Sequence, residues 1–174
     1  MLGLAGVMDV KVNLRSKIIA AVCVLAAIGG VGGARSADYL GGAFEKSRAY
    51  SPAVITRGGK IIWLAGAGGA KDENGKDISH DFEAQVHLAF DSLDKTLKEA
   101  GGSLQDLVEM TVYITDVNNG TPFVNMRKQF FPSGKYPASS LITISNLAWP
   151  GMMIEINGIA VIGDECSAAK PCTK

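Results

Sequence analysis

One carboxylate stands inside an apolar run near the end of the chain and is the first candidate for chemistry. Glu155 lies within residues 152–161, whose other members are mostly apolar. Such a carboxylate is either turned to solvent by the alternation of a strand or held partly buried, where it can position or deprotonate a water molecule. The alternation alone leaves both interpretations open.

Other catalytic arrangements leave no trace in the sequence. The chain has no GxSxG elbow for a nucleophilic serine, no GxxxxGK[ST] phosphate loop and no Cys-x-x-Cys pair for a structural metal. The two histidines, His80 and His87, are seven residues apart with no third ligand nearby, and we interpret them as surface residues. The sequence therefore predicts neither a metal site nor a cofactor.

Composition narrows the classes of function. The 174 residues include 17 basic and 17 acidic side chains, which cancel, whereas a nucleic-acid binder usually carries a basic excess. We therefore expect no nucleic-acid partner. The hydrophobic share of 47% suffices for a packed core and excludes a disordered chain. The length fits a single domain with a tail.

The beginning of the chain is typical of an export signal. Residues 18–34 are uncharged and follow the basic residues Lys11, Arg15 and Lys17. This pattern predicts a signal peptide and cleavage region over residues 1–37, with a permanent membrane anchor or a misplaced start as alternatives. We expect a periplasmic or secreted protein without stable membrane association after cleavage.

Two cysteines would remain in an exported chain. The predicted domain covers residues 38–163, and residues 164–174 form a tail that contains Cys166 and Cys172. In an oxidising compartment these two can pair, and the alternative is two free thiols.

Periodicity predicts the elements that must position the candidate residues. The predicted segments are two strands (Ala53–Arg57 and Lys60–Gly66), a helix (Asp81–Ala100), a strand (Leu107–Asp116), a helix (Pro122–Phe131) and two strands (Ser140–Ser145 and Met152–Ile162). Gly58-Gly59 predicts a hairpin between the first two strands. Ser79 or Asp81 can cap the first helix, and Thr121 before Pro122 predicts the N-cap of the second. The order ββαβαββ, with a hairpin of paired strands before and after the helices, predicts an α+β domain with a mostly antiparallel sheet and two helices on one face.

Several segments together resemble one known family. They are Tyr50–Val54, Ala100–Leu104, Val112–Asp116, Tyr136–Ser140 and, most specifically, Met153–Val161. Over about residues 46–163 the chain resembles the YjgF/Rid family of reactive-intermediate (imine and enamine) deaminases, also labelled endoribonuclease L-PSP. The resemblance implies a YjgF-like, chorismate-mutase-like fold and a homotrimer with small-molecule pockets between subunits.

The resemblance also implies roles for particular residues. In deaminase members an arginine clamps the substrate carboxylate, a glutamate orients the attacking water, and a tyrosine closes the pocket, without a metal. The glutamate falls on Glu155, the tyrosine on Tyr50 and an asparagine of the second helix on Asn125. Ala65, beside Gly66, replaces a serine of the second strand.

The arginine does not carry over, because Ser139 stands at its position. Serine cannot supply a planar two-pronged cation, so a 2-imino acid is a doubtful substrate unless another cation reaches the pocket. Arg48 and Arg127 are candidates by residue type alone.

Two functions from different classes follow. The first is a hydrolytic deaminase of small imines, enamines or related C–N compounds, with water oriented by Glu155. The second is a non-catalytic, small-molecule-binding or chaperone-like trimer. An endoribonuclease is disfavoured by the balanced charge.

Overall fold

A computed structural model describes residues 37–166 and Cys172 of the chain. The predicted signal peptide therefore lies, but for Ala37, outside the described residues. The elements are β1 (Asp38–Tyr39), α1 (Ala43–Ser47), β2 (Val54–Ile55), β3 (Lys60–Ala67), α2 (Phe82–Glu99), β4 (Leu107–Ile114), α3 (Gly120–Phe130), β5 (Ala138–Thr143) and β6 (Ile154–Ile162).

Four strands form the main sheet in the order β3-β6-β4-β5. The β3–β6 and β6–β4 pairs are antiparallel, and β4–β5 is parallel, with α3 as the crossover between its two strands. A parallel pair needs such a crossover, because a tight turn joins only antiparallel strands and the chain must return to the starting edge before it can run in the same direction again. The prediction of an α+β domain with a mostly antiparallel sheet is confirmed.

Two predicted strand pairings are wrong. The strand before Gly58-Gly59 pairs with β1 in a separate two-stranded sheet, not with β3. Both glycines have positive φ (68° and 79°) and turn the chain, and beyond them β3 pairs with the distant β6. The last two strands are likewise not neighbours, because β4 lies between them. Local turn signals could not reveal these long-range partners.

The two long helices begin and end close to their predicted limits. The Asp81 side chain caps α2 by accepting a hydrogen bond from Ala84 N at 2.9 Å. The predicted cap at Thr121 is wrong, because α3 begins one residue earlier, at Gly120, with Asn119 as its N-cap. Residues 37–166 include no helix that is both long and apolar enough to cross a membrane.

The core lies between the sheet and these helices. Alternate residues of β4 and β6, together with one face of α2 and of α3, are buried there, including Phe90, Met110, Phe123, Ile154 and Ile156. The helices leave the opposite sheet face, which we call the open face, uncovered. Its residues include Ile61 and Trp63, which are 55% and 76% exposed.

The C-terminal tail is tied to the beginning of the domain. Cys166 and Cys172 form a disulfide, with 5.3 Å between their Cα atoms. The Asp164 carboxylate accepts hydrogen bonds from the backbone N–H groups of Arg57 and Cys166, each at 2.7 Å. The N–H of Cys172 donates to the Asp38 carboxylate at 2.7 Å. Of the two alternatives for the tail cysteines, the structure has the disulfide.

Candidate functional site

The segment after α1 brings Arg48 and Tyr50 to the edge of the sheet, beside β5. Ser51 N donates to the carbonyl of Pro137 at 3.1 Å, so this segment runs beside the start of β5. Ala49 is fully buried with a φ of 56°, in the left-handed region that residues with a side chain rarely adopt. This turn sets Arg48 and Tyr50 on either side of Ala49 and next to Ser139, with which they line a common cavity.

Arg127 reaches the same place from α3. Its Nη1 donates to Ser139 Oγ and its Nη2 to the Arg48 carbonyl, both at 2.7 Å. Its Cζ lies 5.2 Å from the ring centre of Phe123, one helical turn earlier, a cation–π distance. The guanidinium therefore occupies the neighbourhood of Ser139, the position at which the resemblance leads one to expect an arginine.

The charge of Arg127 is buried without a counter-ion. The residue is 3% exposed, and within the described part of the chain no carboxylate forms an ion pair with it. Burial, and secondly the positive charge of Arg48, lower the pKa of Arg127 to about 10. Two of its five N–H donors are used, and Nε has no partner. A buried, unpaired cation with donors to spare is suited to an anionic ligand.

A small cavity opens onto this guanidinium. It measures about 150 Å³ and is lined by Arg48, Tyr50, Val124, Arg127, Ser139 and Leu141. No acidic residue of the described chain lines it. Ligand pockets typically measure about 300–1,000 Å³, so the cavity suits a ligand of few atoms or one half of a larger site. We call it the arginine cavity.

Glu155 belongs to a second group, on the open face. Its neighbours Ile154 and Ile156 are fully buried in the core, so alternation turns Glu155 the other way, where it is half-buried. The register of β3 with β6 shifts between Leu64 and Ala67. The two residues within that shift are Ala65 and Gly66, which leave the regular ladder.

Gly66 makes room for the Glu155 carboxylate. A Cβ on Gly66 would lie 2.6 Å from Cδ of Glu155, closer than any allowed contact. Only glycine therefore lets the carboxylate lie against the backbone of β3. Glu155 therefore lies beside Gly66, and Ala65 precedes that glycine in β3.

Gln85 fixes the segment that leads into the strand of Glu155. Its side-chain amide is fully buried in α2 and donates to the carbonyls of Ile78 and Gly151, both at 2.9 Å. Its Oε1 accepts a hydrogen bond from Met153 N at 2.7 Å. These three bonds position the chain two residues before Glu155.

The variant Gln85→Leu is expected to lower the free energy of unfolding by about 2–4 kcal/mol, because buried backbone groups lose their partners. Denaturant unfolding of the two proteins measures the difference. Gln129→Leu, at an exposed position of α3, is the matched control and should stay within about 0.5 kcal/mol of wild type. An equal decrease in the free energy of unfolding in both variants would show that the hydrogen bonds of Gln85 do not stabilise the fold more than an exposed side chain does.

Within one subunit the two groups are apart. Glu155 of β6 and Ser139 of β5 flank the strand β4 on its two sides. Glu155 pairs with Tyr113 of β4, and Ser139 pairs with Met110, three residues earlier on β4. Two strand spacings and three residues correspond to roughly 14 Å between their Cα atoms. Their side chains also point to opposite faces, since Ser139 contacts α3. Asn125 joins neither group and is exposed on α3.

Metal ligands gather at one place among the described residues, and it is not near either group. Asp164, Cys166 and Cys172 bring their ligand atoms within 4.8 Å of one another. Both sulfurs are joined in the disulfide, and the carboxylate accepts two backbone N–H groups. A thiolate is the form that binds metals, so the cluster in this state is a structural clip.

The position of Arg127 against Ser139 was beyond sequence reasoning. Residue type made it a candidate, but nothing placed it against Ser139. The sequence held one indication that Arg127 is buried. Arg127 follows Phe123 by four residues and so shares the apolar face of the predicted helix. A basic residue on a buried helix face needs a partner or a ligand.

The fold and the site define the class of protein: an α+β domain whose four-stranded sheet is covered on one face by two helices, with a buried arginine at the edge of the sheet. The sequence profile of the family described as Endoribonuclease L-PSP matches residues 41–162. The chain belongs to this family, the YjgF/Rid family.

Individual relatives agree with this assignment. The RutC family protein YjgH of Escherichia coli is 31% identical over 117 residues, which cover 67% of this chain and 85% of the relative. Human 2-iminobutanoate/2-iminopropanoate deaminase is 28% identical over 120 residues, 69% of this chain and 85% of that enzyme. The solved structure of the Rid-family protein YyfB from Yersinia pestis superposes with a TM-score of 0.65 at 23% identity, over 72% of this chain and 98% of YyfB. This last likeness concerns the fold.

Proposed function

We propose that the protein is a hydrolytic deaminase of small imines or enamines that carry an anionic group. One observation carries the proposal: the Arg127 guanidinium donates to Ser139 Oγ at 2.7 Å and has no carboxylate partner among the described residues. It can supply from α3 the cation that Ser139 cannot. The name of the human relative, which specifies 2-imino carboxylates, supports this substrate class.

The proposed reaction needs water and one carboxylate. Arg127 holds the anionic group of the substrate, and Glu155 orients a water molecule toward the carbon of the C=N bond. The water oxygen bonds to that carbon as the C=N π bond opens, and Glu155 passes one water proton to nitrogen. Glu155 then passes the second proton, from the new hydroxyl, to nitrogen, so that the C–N bond breaks as the C=O bond forms. The products are a carbonyl compound and ammonia. We propose that this takes place in the periplasm or outside the cell, which residues 18–34 favour.

The proposed site needs a second subunit. Arg127 and Glu155 lie on opposite faces of one sheet, so they can serve the same substrate only if the cavity of one subunit faces the open face of another. The open face is apolar enough for such a contact, with Ile61, Trp63 and Ile142 exposed on it. We propose a homotrimer with the ligand between subunits, as the family resemblance implies.

The variant Trp63→Lys is expected to convert the assembly to monomers at micromolar concentration, because a charge would replace a large apolar contact. Light scattering measures the mass. Trp149→Lys changes an equally exposed tryptophan in the loop between β5 and β6 and should leave the mass unchanged. A trimer that survives Trp63→Lys would place the subunit contact elsewhere.

Ammonia release tests the activity itself. Amino-acid oxidases generate imines in the presence of the purified protein, and free ammonia is followed against a buffer control. Acceleration is the expected result. No acceleration with acidic or neutral imines, combined with binding of small carboxylates, would favour the non-catalytic binding trimer instead.

A further inference from the structure

We propose that the arginine cavity recognises a ligand with two carboxylates, so that the favoured substrate is the imine of a dicarboxylic amino acid. The observation is a second arginine, Arg48, which lines the same cavity as Arg127 and whose positive charge acts on it. The inference deepens the proposed function and rests on it.

The two arginines stand at the cavity without any compensating acid. Arg48 is half-buried, and within residues 37–166 its guanidinium has neither a hydrogen-bond nor an ion-pair partner. Its positive charge is close enough to act on Arg127 and contributes to the lowered pKa of that residue. Two like charges held near one cavity repel each other. A ligand with a single negative charge leaves one of them uncompensated, whereas a dianion compensates both.

The arrangement favours two separate carboxylates. Arg127 comes from α3 and Arg48 from the end of α1, and the Arg48 carbonyl already occupies Nη2 of Arg127. This hydrogen bond fixes the backbone of Arg48 against the side chain of Arg127, so the two arginines reach the cavity from different elements. Two cations from different elements match two carboxylates on a short carbon chain, and Tyr50 and Ser139, which line the same cavity, carry hydroxyl groups that can donate hydrogen bonds.

Stable four-carbon acids test this without turnover. Calorimetry with the purified full-length protein compares succinate, butyrate and inorganic phosphate. Succinate is expected to bind at least tenfold more tightly than butyrate, and Arg48→Gln should abolish that preference while changing butyrate affinity less than twofold. Arg48→Lys should retain most of the preference, and Lys46→Gln, an exposed charge on the same segment, should not alter it.

Each outcome decides between this inference and the proposed function. Equal affinity for succinate and butyrate, or tighter binding of phosphate than of succinate, would overturn the dicarboxylate inference and leave the deaminase proposal intact. Succinate preference without ammonia release from the oxidase-generated imine of aspartate would support the ligand class and refute the deaminase. Binding of none of the three acids would overturn both. Circular dichroism of each variant verifies that it is folded.

Discussion

The variant Glu155→Gln is expected to lower the rate of ammonia release by about 10²–10⁴-fold, because the amide cannot accept a proton from water. It keeps the size of the side chain, so the contact with Gly66 remains. The KM for an imine should change little, since Arg127 and not Glu155 holds the anionic group of the substrate in the proposed site. Steady-state kinetics with an oxidase-generated imine separate kcat from KM.

A second carboxylate on the same sheet face provides the control. Glu109 lies on β4, opposite Ile159 of β6, and accepts a hydrogen bond from Thr111 Oγ1 at 3.2 Å. Glu109→Gln removes an equal charge from the open face and should leave the rate within about twofold of wild type. Full activity in Glu155→Gln would exclude this residue from the mechanism. An equal decrease in rate in both variants would show that the total negative charge of the open face matters, and not the position of Glu155.

Local sequence patterns predicted the two long helices and the four strands of the main sheet, because these depend on short spacings, whereas the short β1 and α1 were missed. The apolar face of α2 and the cap at Asp81 follow from residues within one or two turns of each other. Alternation along β6 also defined the two alternatives for Glu155. The structure places it half-buried on the uncovered face, against Gly66. The alternation thus left a solvent-facing or a partly buried carboxylate as alternatives, and the contact with Gly66 of β3 shows that it is partly buried.

Partners distant in the chain were beyond the reach of those patterns. The pairing of β3 with β6 joins residues about a hundred positions apart, and a glycine pair predicted a local hairpin in its place. The contact of Arg127 with the Arg48 carbonyl spans 79 residues. Both depend on packing of the whole domain, which overrides local turn preference. The proximity of Arg127 to Ser139 therefore emerged only from the three-dimensional arrangement.

The variant Arg127→Met is expected to weaken binding of a small carboxylate by about 2–5 kcal/mol, roughly 30-fold to several-thousand-fold. Methionine fills the same apolar space beside Phe123 and Val124, and replacing a buried charge with an apolar side chain often leaves stability unchanged or higher. Against this, Ser139 and the Arg48 carbonyl lose a donor, at about 1–3 kcal/mol. Stability should therefore change far less than affinity, and thermal unfolding beside calorimetry separates the two.

The wild-type protein should bind carboxylates with constant affinity from pH 7 to 9 and lose affinity as the pH rises through about 10. Burial and the charge of Arg48 lower the pKa of Arg127 to about 10, so the cation is present below that pH and disappears above it. A bound carboxylate stabilises the cation and shifts the loss upward in pH.

Returning the guanidinium to the position that the family resemblance implies is the sharpest control. In the Arg127→Met background, Ser139→Arg should restore much of the lost carboxylate affinity, because the cation would enter the same cavity from β5 instead of α3. Arg127→Lys keeps the charge but not the planar fork, and it should give intermediate binding. Undiminished binding in Arg127→Met would show that another group holds the ligand. Failure of Ser139→Arg to restore binding, in a variant that remains folded, would show that α3 contributes geometry that β5 cannot supply.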